Sequence, residues 1–490
     1  MAAAFIFLVL MLRQPYLFTM PMVAWGDDAV FAIEIDDAKR LRLFDGANSR
    51  IGTSHPGPAI FYIAAAFDTV MHDWLRAVPE PLNAQRIGYA ALSAAALGAI
   101  AALLARRASS AETIVGVAVL TAMMTVVPFV FASSWLPYVY CLPYLLHVAA
   151  AGAMLSGDRR AILPYTLASW LLVHGHVAFI ESVGGMTAFI AAVLLWRHRR
   201  EIPAFVRRNT RSLLPSVVAT AVFILPLVVN LFVHWPSPWL DYYEYAQTAQ
   251  RDPRSVGDVL SFVAYYLTWR GELPAWMAAV IAASSVAAVL IVPRSETRRL
   301  LTGLLGASAA GLALFAVYAT IGVDRLSEKY LGLYAFAMPA LIVATGAMAF
   351  CRRFVRVAPF VVAAALVLLL TVCVSAEAFI TYDRGSPEVP VIATTLQANV
   401  ERKGRPVALT FDHGAWPFAV AVMQYGAHNG LPACVEDPSW TWFVTERFIC
   451  RPDQIAASWR VFLTPVTGTP ATGTLLVRTQ SVAVTTAASN

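Results

Sequence analysis

Stretches of about twenty consecutive, mostly apolar residues recur through this chain, and each has the length a helix needs to cross the hydrocarbon core of a bilayer. They fall at 3–23, 84–105, 111–131, 137–156, 161–178, 181–197, 212–233, 274–293, 299–321, 330–350 and 355–376, giving about eleven candidate spans. Lipid offers the backbone no hydrogen-bond partners, so these segments are expected to be helical. The composition agrees. Of 490 residues, 59% are hydrophobic and 13% charged, the latter roughly half of what soluble domains carry. The net charge of +6 does not point to nucleic acid, because the basic residues sit in short clusters between apolar segments and form no groove interleaved with aromatics.

Those clusters orient the chain. Arg106/Arg107, Arg159/Arg160, the run from Arg197 to Arg211, Arg294/Arg298/Arg299 and Arg352/Arg353/Arg356 occupy alternate connections. By the positive-inside bias that side is cytoplasmic. The N terminus is then expected inside, with the first loop and everything after residue 376 outside the cytoplasmic membrane. The first apolar stretch lacks a basic leader and a small-residue cleavage site, so it reads as a retained helix. Arg13 within it needs protein, water or a phosphate beside it.

The first outer connection, 24–83, carries Asp27, Asp28, Glu34, Asp36, Asp37 and Asp45. Asp36, Asp37 and Asp45 read as a solvated loop, whereas Asp27 and Asp28 follow the first span directly and should lie at the membrane surface. Apolar spacing predicts two amphipathic helices in the interface plane, one after Ala29 and one after Pro58. A second long connection, 234–273, holds Trp235, Trp239, Tyr242, Tyr243, Tyr245, Tyr265, Tyr266 and Trp269. It is either an aromatic interface belt or a lid for a sugar or lipid. Residues 377–490 read as a small α/β domain with strands at 407–411, 433–435, 459–463 and 474–477, a helix at 416–425, and a frayed tail from Ser481. In that domain Cys434 and Cys450 would pair as a disulfide in an oxidising compartment.

A carboxylate at the outer surface is suited to take a proton from an acceptor hydroxyl, and cations nearby would steady a departing phosphate. Candidate cations on that side are Arg50, His55, His174, His176 and Lys329. Side chains two apart on a helix point about 200° from one another, so His174 and His176 could share an ion only if the helix has ended. No metal site is assigned, although a divalent cation stays possible.

The arrangement resembles the GT-C fold of membrane glycosyltransferases, which includes aminoarabinose transferases, protein O-mannosyltransferases and mycobacterial arabinosyl- and mannosyltransferases. The resemblance rests on Gly26-Asp27-Asp28 directly after the first span, on His55-Pro56-Gly57-Pro58, and on Glu328-Lys329-Tyr330-Leu331 leading to Met338-Pro339. It implies an α-helical polytopic membrane protein, with a 1–376 membrane module and an outer 377–490 domain. It also implies inverting transfer of a sugar from a polyprenyl-phosphate donor to a glycan, lipid or protein acceptor on the outer face. Asp27 or Asp28 would be the base, and His55, Lys329, Arg50 and Arg13 would face the donor phosphate. Glu34, His174, His176, Tyr330 and Trp239 would line the substrate.

A transporter or flippase for a lipid-linked or polar substrate is the alternative, and would place ionisable groups near the bilayer midplane. A structural assembly protein is a third, and would tolerate loss of both aspartates.

Overall fold

The computed structural model describes residues 2–49, 52–127, 129–199, 202–235, 238–248, 254–375, 385–467 and 473–487, with all of their side chains except those of residues 198, 202–212, 238, 239, 246 and 487. Arg50 and the side chain of Trp239 lie outside the described residues.

The protein is a multi-pass membrane protein. Among the described residues, seven helices are long and apolar enough to cross a membrane: Pro81–Ala105, Leu136–Leu155, Ala178–Arg197, Leu213–Val233, Glu296–Ile321, Lys329–Arg353 and Ala358–Ser375. Ala2–Arg13, Ser110–Met124, Val256–Leu267 and Ala275–Ile291 are shorter apolar helices. Each of the eleven expected spans contains a helix, but the first stops at Arg13. Pro15 biases the residue before it away from helical geometry, and a short 3-10 turn, Pro15–Phe18, follows. Val256–Leu267, inside the expected aromatic loop, is an additional apolar helix.

Small residues let the membrane helices approach closely, as is usual where lipid gives no hydrophobic drive for association. A methyl group on Gly303 would collide with the carbonyl of Gly152 on the neighbouring helix. The basic clusters gather at one end of the bundle. Arg106 pairs with Asp158 at 3.2 Å, Arg107 donates to Ser156 O at 2.8 Å, Arg197 donates to Leu155 O at 2.9 Å, and Arg352 pairs with Glu112 at 3.5 Å.

The C-terminal region forms a five-stranded sheet from β1 (Val407–Phe411), β2 (Ala433–Val435), β3 (Trp459–Pro465), β4 (Gly473–Arg478) and β5 (Val482–Ala487). Its order is β2-β1-β3-β5-β4. β1 runs parallel to β2 and β3, while β5 is antiparallel to both β3 and β4. The expected frayed tail is thus corrected through Ala487. Val482-Ala-Val-Thr-Thr alternates its side chains across a sheet, and only the neighbouring strands make that register productive. Cys434 and Cys450 are joined as a disulfide, with Cα atoms 4.9 Å apart.

The Asp27–Lys39 helix overturns the expectation of an interfacial amphipathic segment. Phe31, Ile35 and Ala38 join the membrane core, whereas Ala29, Val30, Ala32 and Ile33 join the core of the C-terminal region. The helix is apolar on two faces because it is sandwiched between two cores. Asn83 fixes its approach, donating to Leu17 O at 2.9 Å and Met20 O at 2.8 Å and accepting from Met22 N at 3.1 Å.

Candidate active site

Gly26 turns the chain into the Asp27–Lys39 helix with φ of 56°, a conformation that costs glycine little. Its N–H donates to Pro417 O at 3.1 Å, tying the turn to the C-terminal region. Two carboxylates then open the helix, where unpaired N–H groups and the helix dipole favour negative charge.

Consecutive residues on a helix point about 100° apart, and the two aspartates meet different surroundings. Asp28 is buried and accepts from Arg86 Nη2 at 3.1 Å. The same guanidinium donates from Nε to Ser134 Oγ at 3.1 Å and meets Met22 Sδ at 3.6 Å. Asp27 is exposed and accepts from the Trp135 indole N–H at 2.9 Å. Partial desolvation raises its pKa above the ordinary carboxylate value, and the Trp135 hydrogen bond pulls the other way. Arg86 is a residue of this candidate site that the sequence did not single out. Its signal was an arginine three residues inside an apolar span.

Trp135 links Asp27 to the late motif. Its ring lies 5.4 Å from Tyr330 and 5.3 Å from Tyr138, centroid to centroid. The adjacent Lys329 donates to Leu326 O at 2.9 Å and sits over the rings of Phe262 at 4.7 Å and Tyr265 at 5.6 Å. Arg270 interacts electrostatically with Tyr138 on this side. It lies in a run of left-handed residues, Trp269, Arg270 and Gly271, with φ of 49°, 67° and 83°. Backbone held in that region by its surroundings is often found at functional sites, and the Trp-Arg-Gly triplet was the legible sign.

The other expected residues serve different ends. His55 is buried and its ring lies 4.1 Å from that of His176. Burial and the second imidazole hold its pKa well below the ordinary value, so it is a neutral group. His174 bonds Phe223 O at 2.9 Å, and its backbone carbonyl accepts from Gly57 N at 3.0 Å. The helix ends at Gly175, and His176 Nδ1 accepts from Ala178 N at 3.1 Å, capping the next one. The two histidines point to separate partners and do not converge on an ion. Arg13 donates to Val374 O at 2.7 Å, closing the end of another span. Glu34 is buried and accepts from Asn48 at 3.3 Å. Burial, Asp45 and Asp37 raise its pKa well above the usual value.

Contrary to expectation, Asp36 is buried and Asp37 is half-buried. Asp36 pairs with His428 at 2.8 Å, and Asp37 lies 3.8 Å from Arg447, so both acids hold the C-terminal region. Among the described residues, Asp68, His72 and Asp73 bring three possible metal-ligand atoms within 4.8 Å of one another. The Lys39 ammonium already sits among them, 3.3 Å from Asp68 and 2.7 Å from Asp73.

The helical membrane bundle, with its first-loop acids away from the arginine clusters and a small C-terminal sheet, is a polytopic protein of GT-C-like fold. No protein-family model and no curated protein sequence matches the chain. Among solved structures it is similar to the crystal structure of ArnT from Cupriavidus metallidurans bound to undecaprenyl phosphate. The TM-score is 0.58 at 14% sequence identity, over 99% of this chain and 98% of that one.

Proposed function

We propose that this protein is a membrane glycosyltransferase that moves a sugar from a polyprenyl-phosphate donor to an acceptor on the outer face of the membrane. The observation that carries the reading is the division of labour between neighbouring carboxylates, with Asp28 held by Arg86 and Asp27 presented at the surface by Trp135. A base needs an accessible ionised oxygen, and Asp27 has one. The solved neighbour with undecaprenyl phosphate bound supports the donor class.

In the reaction, Asp27 accepts the proton of the acceptor hydroxyl as its oxygen attacks the anomeric carbon. The bond from that carbon to the phosphate oxygen breaks on the opposite face, and the polyprenyl phosphate leaves with the electron pair. Because attack and departure take place on opposite faces, the anomeric carbon is inverted. Lys329 and Arg270 are the cations that would take up the phosphate charge, with Arg50 a further candidate in the same loop as Asp27. Trp135 and Tyr330 offer ring faces to a sugar. The neutral His55 packs against His176 and helps shape the loop beside His174.

In this reading Asp27 and the C-terminal region after residue 376 face outward and the N terminus faces the cytoplasm. The gathering of arginines at the far end of the bundle and a disulfide in the C-terminal region both support that orientation.

The test is release of polyprenyl phosphate from a labelled polyprenyl-phosphate sugar by protein reconstituted in vesicles. Asp27→Asn should lower release by about 100-fold or more without lowering the melting temperature. Release at the parent rate would remove Asp27 as the base. Passage of intact labelled donor across the bilayer without cleavage would favour a transporter instead.

A further inference from the structure

At the end opposite Asp27, a cleft of about 760 Å³ opens between the ends of the Cys141–Leu155, Ala178–His198 and Glu296–Ile321 helices. Arg197, Arg294, Arg298 and Arg299 line its outer part. Among the described lining residues Glu296 is the one carboxylate, and it already faces Arg107 at 3.9 Å. Those lining residues therefore carry an excess of positive charge, four arginines against one glutamate.

Its walls change character with depth. Phe189, Val193 and Arg197 are spaced four apart, on one helix face. Arg299, Gly303 and Gly306, spaced four and three apart, share a face of the facing helix, with arginine again at the end and small residues deeper. Eight residues of helix span about 12 Å, so each face runs from a cationic end well into apolar depth. Gly303 is needed for packing, because a methyl group there would meet Gly152. At Gly306 a methyl group would meet only Leu155 Cδ1, at 4.0 Å, so the missing side chain leaves room in the cleft and is not used for helix contact.

We propose that this cleft binds an anionic glycerophospholipid, its phosphate held by Arg294, Arg298 and Arg299 and an acyl chain laid along Phe189, Val193 and Gly306. Basic pockets between membrane helices on the cytoplasmic side suit such headgroups, and the apolar depth adds what a free phosphate does not require. The site shares no residue with the proposed transferase centre, so either reading stands without the other.

The full-length protein in neutral detergent is titrated with dioleoyl phosphatidylglycerol, dioleoyl phosphatidylcholine or inorganic phosphate. Native mass spectrometry reads retained lipid, and thermal unfolding reads stabilisation. Phosphatidylglycerol should be retained and should raise the melting temperature, while the other two should do neither. The Arg294→Gln/Arg299→Gln double variant should weaken phosphatidylglycerol binding by about tenfold or more. Gly306→Leu, which fills the floor without changing charge, should weaken it too; if that variant does not fold, the arginine pair decides alone. Arg353→Gln, on the same side but outside the cleft, should bind as the parent does.

Equal effects of phosphatidylcholine, or a full effect of inorganic phosphate, would overturn the proposal. So would parent-like binding by the arginine pair, or an equal loss in Arg353→Gln.

Discussion

Two adjacent aspartates differ because one faces a guanidinium and the other an indole. Asp27 accepts a proton only when ionised, and desolvation raises its pKa. Turnover should therefore rise with pH through that raised value and fall on the acid side at a higher pH than an ordinary carboxylate would give. A pH–rate profile of polyprenyl phosphate release checks this, and an acid limb at the ordinary carboxylate position would contradict it. Asp28 makes the opposite prediction, about folding. Removing Arg86 strands a buried carboxylate, so Arg86→Met should cost about 3–5 kcal/mol, read as a lower melting temperature in detergent. Adding Asp28→Leu to that variant should recover part of the loss, because no charge is then left buried.

At the scale of elements, the Asp27–Lys39 helix holds the site because it serves two cores at once. The loop that follows it closes on the membrane bundle through Gly57, whose N–H donates to His174 O and where a methyl group would strike the His174 ring. Gly57→Ala should destabilise the fold by about 1–3 kcal/mol, seen as a drop in melting temperature. Unchanged melting would mean that the loop yields. Four of the five strands, the Trp416–His428 helix and the disulfide partners were legible in the sequence, since alternation and spacing are local. The pairing of Asp36 and Asp37 was not legible, because their partners His428 and Arg447 lie about 400 residues away in the chain.

For the whole molecule, the Asp36–His428 pair is a titratable link between the first loop and the C-terminal region. The hydrogen bond from Asp36 raises the His428 pKa, against the cost of its burial. A histidine whose folded pKa is raised adds its full stability below the unfolded value of about 6.5 and loses it as pH rises through the folded value. Melting temperature should accordingly fall as pH climbs from about 6 through that raised value, and His428→Gln should flatten that slope. A parent and variant with parallel pH dependence would show that the pair does not couple the two regions.

The apolar segments, the alternation of arginine clusters and the strand-forming tail pattern depend on neighbours within a few residues or on the bilayer, so the sequence by itself determined a polytopic helical bundle with a small α/β appendage. Which aspartate meets an indole and which pairs with an arginine, that His55 is neutral, and that Arg13 closes a helix end were decided only by tertiary structure. A side chain's charge and access are set by groups brought beside it through folding, and Arg86, Trp135 and Val374 stand 58, 108 and 361 positions from the residues they bind.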